Sequence, residues 1–203
     1  MGVFGEMTIY RMLRGVVLVV AALTLAGCGV APEKRAPAGE VEIAELRKAI
    51  LALGPGVDPE EADRAARISF QHTRELAIAY QITDSPLVHN TKVNMGLRPR
   101  GLCWHWAEDM EMRLDSEEFE TLEMHRAIAS ADNPFRIDHS TAIISRKGDG
   151  FRDGLVLDPW RLGGELSFAP TLEDTDYDWQ DQMQVLRRKY KQQKNRERFS
   201  SAN

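Results

Sequence analysis

Apolar residues recur every three or four positions in the first half of the chain, and closer to every second position in the second half. Ile43, Leu46, Ile50 and Leu53 form one stripe of "EVEIAELRKAILAL", which predicts a helix over residues 40–53. Gly54, Pro55 and Gly56 stop it. A longer stripe follows: Ala62, Ala65, Ala66, Ser69, Phe70, Thr73, Leu76, Ala77 and Tyr80. Asp58 is its expected N-cap, Pro59 suits the first helical position, and Glu61 is placed to close a capping box. Residues 83–101 break the pattern and read as a long connection, a length that often serves a site. Helical spacing resumes at Leu102, with Cys103, Ala107, Met110 and Leu114 on one face, and should end near Asp115.

The period then shortens. "TLEMHRAIAS" sets Leu122, Met124, Arg126 and Ile128 against Glu123, His125 and Ala127, a strand with an imperfect inner face. "HSTAIIS" from His139 reads as a second strand, and "LVLDPW" from Leu155 as a third that must stop at Pro159. Helices followed by an antiparallel meander predict an α+β domain with the cysteine helix packed on the sheet. The remainder is charged: "TLEDTDYDWQD" is acidic and "RRKYKQQKNRER" basic. The basic run reads as a solvated terminal helix or frayed tail, with binding to anionic lipid or polymer as the alternative.

The beginning of the chain follows another logic. Arg11 and Arg14 precede the apolar run "GVVLVVAALTLA", which ends in "LAGC" at Cys28. A basic segment, a short apolar segment and small residues before the cut read as a secretory signal. The run is short for a transmembrane helix. "LAGC" resembles the lipobox of bacterial lipoproteins. That resemblance implies cleavage before Cys28, acylation of its thiol and anchoring to the lipid bilayer. Gly29 after the acylated cysteine implies the outer membrane, facing the periplasm. The expected organisation is a signal peptide over residues 1–27, a Pro-rich linker over 28–39, a cysteine domain over 40–182 and a charged tail over 183–203. The chain is acidic, with a formal charge of -5, which argues against nucleic acid as a partner.

The chain has two cysteines, and lipidation would consume Cys28. Cys103 then has no intramolecular disulfide partner in an oxidising compartment. Three residues are suited to act together. Cys103 falls in the first turn of its helix, where free amides favour a thiolate. His139 opens a strand and can act as base and then acid. Asp158 ends the neighbouring strand and can orient the imidazole. Backbone amides at the helix start can hold an oxyanion. Asp138 is the runner-up for the acid but should face the other side of its strand. His105 lies on another face of the helix from Cys103 and is expected at the surface or behind the site. Trp106 reads as packing. His72, His89 and His125 are scattered, and without HExxH or paired CxxC motifs no metal and no cofactor is expected.

"GLCWHWAEDM", "DHSTAIISRKG" and "GLVLDPWR" together resemble the papain-like cysteine superfamily, and more closely its bacterial transglutaminase-like branch. The resemblance covers about residues 87–168. It implies a papain-like core in which Cys103 is the nucleophile, His139 the base and Asp158 the acid. Trp104 and Trp160 match aromatic residues that line the substrate, Trp160 as a lid over the pair. The family's oxyanion side chain lies upstream of the cysteine, and Asn90, Asn94 and Gln81 are the candidates. The implied activity is amide hydrolysis or acyl transfer on a peptide, a protein or a peptidoglycan stem peptide. The alternative is an inactive papain-like lipoprotein that binds an envelope peptide or protein.

Overall fold

The structure is a computed structural model that describes residues 31–200. The segment expected to be a signal peptide, the "LAGC" motif and the acylation expected at Cys28 lie outside those residues. Among the described residues, five α-helices pack with a five-stranded antiparallel sheet. Helices α1 (Glu40–Leu51) and α2 (Pro59–Ala79) follow the two apolar stripes. The carboxylate of Asp58 accepts hydrogen bonds from the amides of Glu60 and Glu61, so the expected cap forms. The expected capping box does not. Glu61 instead accepts from the amides of Glu120 and Thr121, at 2.6 and 2.9 Å, and from the Thr121 hydroxyl. The amide of Asp58 donates to Thr121 Oγ1. A buried carboxylate gains more from three donors across the fold than from one donor of its own helix.

Residues 83–101 are not one long connection. Helix α3 (Pro86–Asn94) lies inside them, with Ser85 before it and Pro86 at its first position. Helix α4 (Cys103–Asp115) begins on the cysteine. Strands β1 (Leu122–Ala129), β2 (His139–Arg146) and β3 (Leu155–Asp158) form the predicted meander. Two short strands extend it: β4 (Ser167–Pro170) beside β3 and β5 (Gln180–Asp181) beside β1. The sheet order is therefore β4-β3-β2-β1-β5. Helix α5 (Gln182–Ser200) follows β5 directly and buries Val185, so the charged tail begins as an ordered element of the fold.

Strand β2 is buried on both faces, which explains why "HSTAIIS" lacks a clean alternation of polar and apolar residues. Ala142 and Ile144 join Met110, Leu114, Leu155, Leu157 and the α1–α2 residues in the main core. Ile143 turns the other way and packs with Ala127, Ala129, Val156 and Trp179. The second cluster exists because residues 171–181 cross that face of the sheet. His139 begins β2, and Asp158 ends the antiparallel β3.

Candidate active site

Construction starts at the loop before α4. Gly101 has φ +121, and a β-carbon there would lie 2.4 Å from Nε2 of His89. Only glycine permits that backbone against that ring. The His89 ring nitrogen in turn bonds the carbonyl of Arg100 at 2.9 Å. His105, one turn into α4, reaches back to the same loop. Its Nδ1 accepts from the amides of Gly101 and Leu102 at 3.1 and 3.2 Å. Burial, with the Arg100 charge, lowers the pKa of His105, which suits the neutral acceptor form. Trp106 donates its indole N–H to the carbonyl of Gly101 and packs edge-on against Tyr80 at 4.7 Å. Trp106 is therefore core, as expected. His105 is buried and pins the backbone that delivers Cys103, so it belongs behind the site and not at the surface.

Cys103 occupies the first position of α4, where the N–H groups of Cys103 and Trp104 have no helical carbonyl to bond. Its side chain is largely buried, and Sγ lies 3.6 Å from the carbonyl of Asp138, to which the thiol donates. The carboxylate of Asp138 points away and pairs with Lys189. Asp138 is thus committed elsewhere, and the runner-up acid drops out.

His139 and Asp158 are 1% exposed each, and Nε2 of His139 lies 2.7 Å from Oδ2 of Asp158. An ionised carboxylate only accepts, so Nε2 carries a proton. In the neutral ring that leaves the lone pair on Nδ1, which is buried and has no hydrogen-bond partner in this arrangement. Cys103 acts on the same ring. The His139 pKa is raised to about 9: burial opposes the charged form, but bonding and charge from Asp158 and Cys103 outweigh it.

Asp158 is itself held. The amide of Arg161 donates to its Oδ1 at 3.1 Å, and Arg161 Nε donates to Oδ2 at 3.0 Å. The other end of the guanidinium grips Asp174 at 3.1 and 2.5 Å, and Trp179 donates to Asp174 at 2.9 Å. Burial raises the Asp174 pKa, yet the bonds from Arg161 and Trp179 bring it below the ordinary value. Three rings surround the imidazole: Tyr177 at 4.5 Å, Trp160 at 4.6 Å and Trp179 at 5.3 Å between centroids. Aromatic faces favour a cation among them. Arg161, Asp174, Tyr177 and Trp179 were not singled out in the sequence. Arg161 follows "DPW" at a spacing that reaches back to Asp158, but nothing local marks the other three.

The remaining candidates separate. Trp160 lies against His139 and donates its indole N–H to Oδ1 of Asn90 at 3.0 Å. Asn90 therefore steadies Trp160. Trp104 is 44% exposed beside Cys103, with its ring against His105 at 3.8 Å. Asn94 is exposed at the end of α3, and Gln81 is exposed just after α2 with φ 58. Among the described residues no hydrogen bond joins Asn90, Asn94 or Gln81 to Cys103. No group of three or more His, Cys, Asp or Glu capable of holding a metal occurs among the described residues.

A groove of about 500 Å³ runs to His139, lined by Pro86, Leu87, Phe135, Ile137, Trp160 and Tyr177 among others. Phe135 is almost fully exposed along it, as are the greater parts of Leu87 and Ile137. Comparison of the chain with family models, curated proteins and solved structures finds no match.

Proposed function

We propose that this chain is a thiol-dependent enzyme acting on amide bonds at the bacterial cell envelope, with a papain-like, transglutaminase-like core. One observation carries the reading: a buried imidazole is bonded to Asp158 through Nε2 and leaves Nδ1 buried without a partner, while the Cys103 thiol bonds the carbonyl of Asp138, the residue before His139. A histidine bonded to carboxylate on one nitrogen presents a base on the other. Nδ1 takes the proton from Cys103, and Sγ adds to the substrate carbonyl carbon. The amides of Cys103 and Trp104 stabilise the oxyanion. Collapse breaks the C–N bond, and the proton on Nδ1 leaves with the amine. The thioester is then attacked by water, giving hydrolysis, or by a second amine, giving transfer. That nucleophile passes its proton through Nδ1 to the departing sulfur.

The exposed apolar groove beside His139 suits the acyl donor, a peptide, protein or peptidoglycan stem peptide. The "LAGC" motif supports acylation of Cys28 and an outer-membrane anchor facing the periplasm. No cofactor or metal enters the scheme. The competing reading, a non-catalytic module that binds an envelope peptide, draws on the burial of Cys103 and its bond to Asp138.

Alkylation by iodoacetamide across pH distinguishes them. An activated Cys103 reacts faster than a free thiol at mildly acidic pH. His139→Ala removes most of that excess, and Asp158→Ala weakens it less. A folded wild type that alkylates slowly and ignores His139→Ala would leave Cys103 as packing.

A further inference from the structure

Helix α5 has two faces of different character. One is docked: Val185 is fully buried, Arg188 pairs with Asp132 at 2.7 Å and Lys189 pairs with Asp138. The opposite face is open. Met183, Leu186 and Tyr190 lie at i, i+3 and i+7 and are 53%, 46% and 67% exposed. Such spacing puts all three on one side of a helix. Arg187, Lys191 and Lys194 flank them and are exposed too. From Gln182 to Ser200 the helix carries seven Lys or Arg and one Glu, in a chain whose formal charge is -5.

We propose that this outward face of α5 is a docking surface for an anionic lipid bilayer. A helix with an apolar stripe bordered by cations lies in the plane of a membrane, burying the stripe while the cations meet lipid phosphates. Lysine and arginine stems reach along the apolar surface to place their charges at the headgroups. A purely polyanionic partner such as nucleic acid would use the cations but leave Met183, Leu186 and Tyr190 in water. The docked face ties this contact to the rest of the fold. Through Asp132 and Asp138, α5 grips the segment between β1 and β2, which carries Phe135 and Ile137 of the groove. Membrane contact would therefore set the orientation of the groove relative to the bilayer, independently of whether Cys103 is catalytic.

Trypsin cleavage after Lys191 and Lys194 in the full chain reads this contact directly. The chain is mixed with vesicles of phosphatidylcholine alone or with added phosphatidylglycerol, so any contribution of the apolar leader is common to both. Anionic vesicles should slow cleavage at these sites by about tenfold, given the attraction per basic residue near such a surface. Leu186→Ser with Tyr190→Ser should abolish most of that protection without changing the helical spectrum, since both side chains are exposed. Equal cleavage on the two vesicle types would overturn the proposal. So would full protection of the double variant by heparin and anionic vesicles alike, which would mark a polyanion site.

Discussion

His105 illustrates how little of a site is reactive. Its ring never needs to meet substrate, yet its Nδ1 is the acceptor for two amides, the buried one of Gly101 and the partly buried one of Leu102, immediately before Cys103. His105→Leu keeps the volume and removes the acceptor. An orphaned buried amide such as that of Gly101 costs about 1–3 kcal/mol, so the urea midpoint should fall. Alkylation of Cys103 should also lose its dependence on His139, because the thiol is no longer held against the ring. His105→Asn, whose side-chain oxygen can accept, should restore part of both. A variant that loses stability but keeps the full His139 dependence would show that the loop positions itself without this contact.

At the scale of elements, the start of α2 and the start of β1 are locked together by one carboxylate. Glu61 takes three hydrogen bonds from Glu120 and Thr121, and its pKa is lowered although burial alone would raise it. Glu61→Ala leaves two backbone amides unpaired and should destabilise the fold by about 2–4 kcal/mol. It should also speed hydrogen exchange at Glu120 and Thr121 more than at the far end of β1. Uniform protection across β1 would show that the sheet does not rely on this tie. The same contact shows why local patterns mislead. "DPEE" carries every mark of a capping box, and the cap half is present, but Glu61 answers to residues almost sixty positions away.

Other elements divide in the same way. Helices α1, α2 and α4 are long and periodic enough to be read from the chain, β1 to β3 are marked by their apolar and β-branched runs, and His139 meets Asp158 where β2 begins and β3 ends. Helix α3 is short, and Leu87 and Val88 are exposed, so it has no apolar stripe to announce it. Strands β4 and β5 are four and two residues long. The support of the site is harder still. Asp174, Tyr177 and Trp179 sit in an acidic run that looks solvated, and only the crossing of that run over the sheet brings them to Arg161 and His139.

For the molecule as a whole, His139 links the site to global stability. Its folded pKa is raised to about 9, against about 6.5 in the unfolded chain. A raised pKa contributes stability fully below pH 6.5, and the contribution is lost as pH rises through 9. The difference corresponds to about 3 kcal/mol at most. Urea midpoints should therefore decline between pH 6.5 and 9.5 in wild type and be flatter over that window in His139→Leu. Cys103→Ser should fall between them, since Cys103 contributes to the shift. Identical slopes in wild type and His139→Leu would detach the site from the stability profile.

The buried bond between His139 and Asp158 has a calorimetric consequence. Between the two pKa values the folded imidazole holds a proton that the unfolded one releases, so denaturation near pH 8 sets free the proton held by His139. The buffer must take up that proton. Heats of unfolding measured at one pH and temperature should differ between Tris and phosphate more in wild type than in Asp158→Asn, where the ring has lost the carboxylate that holds its proton.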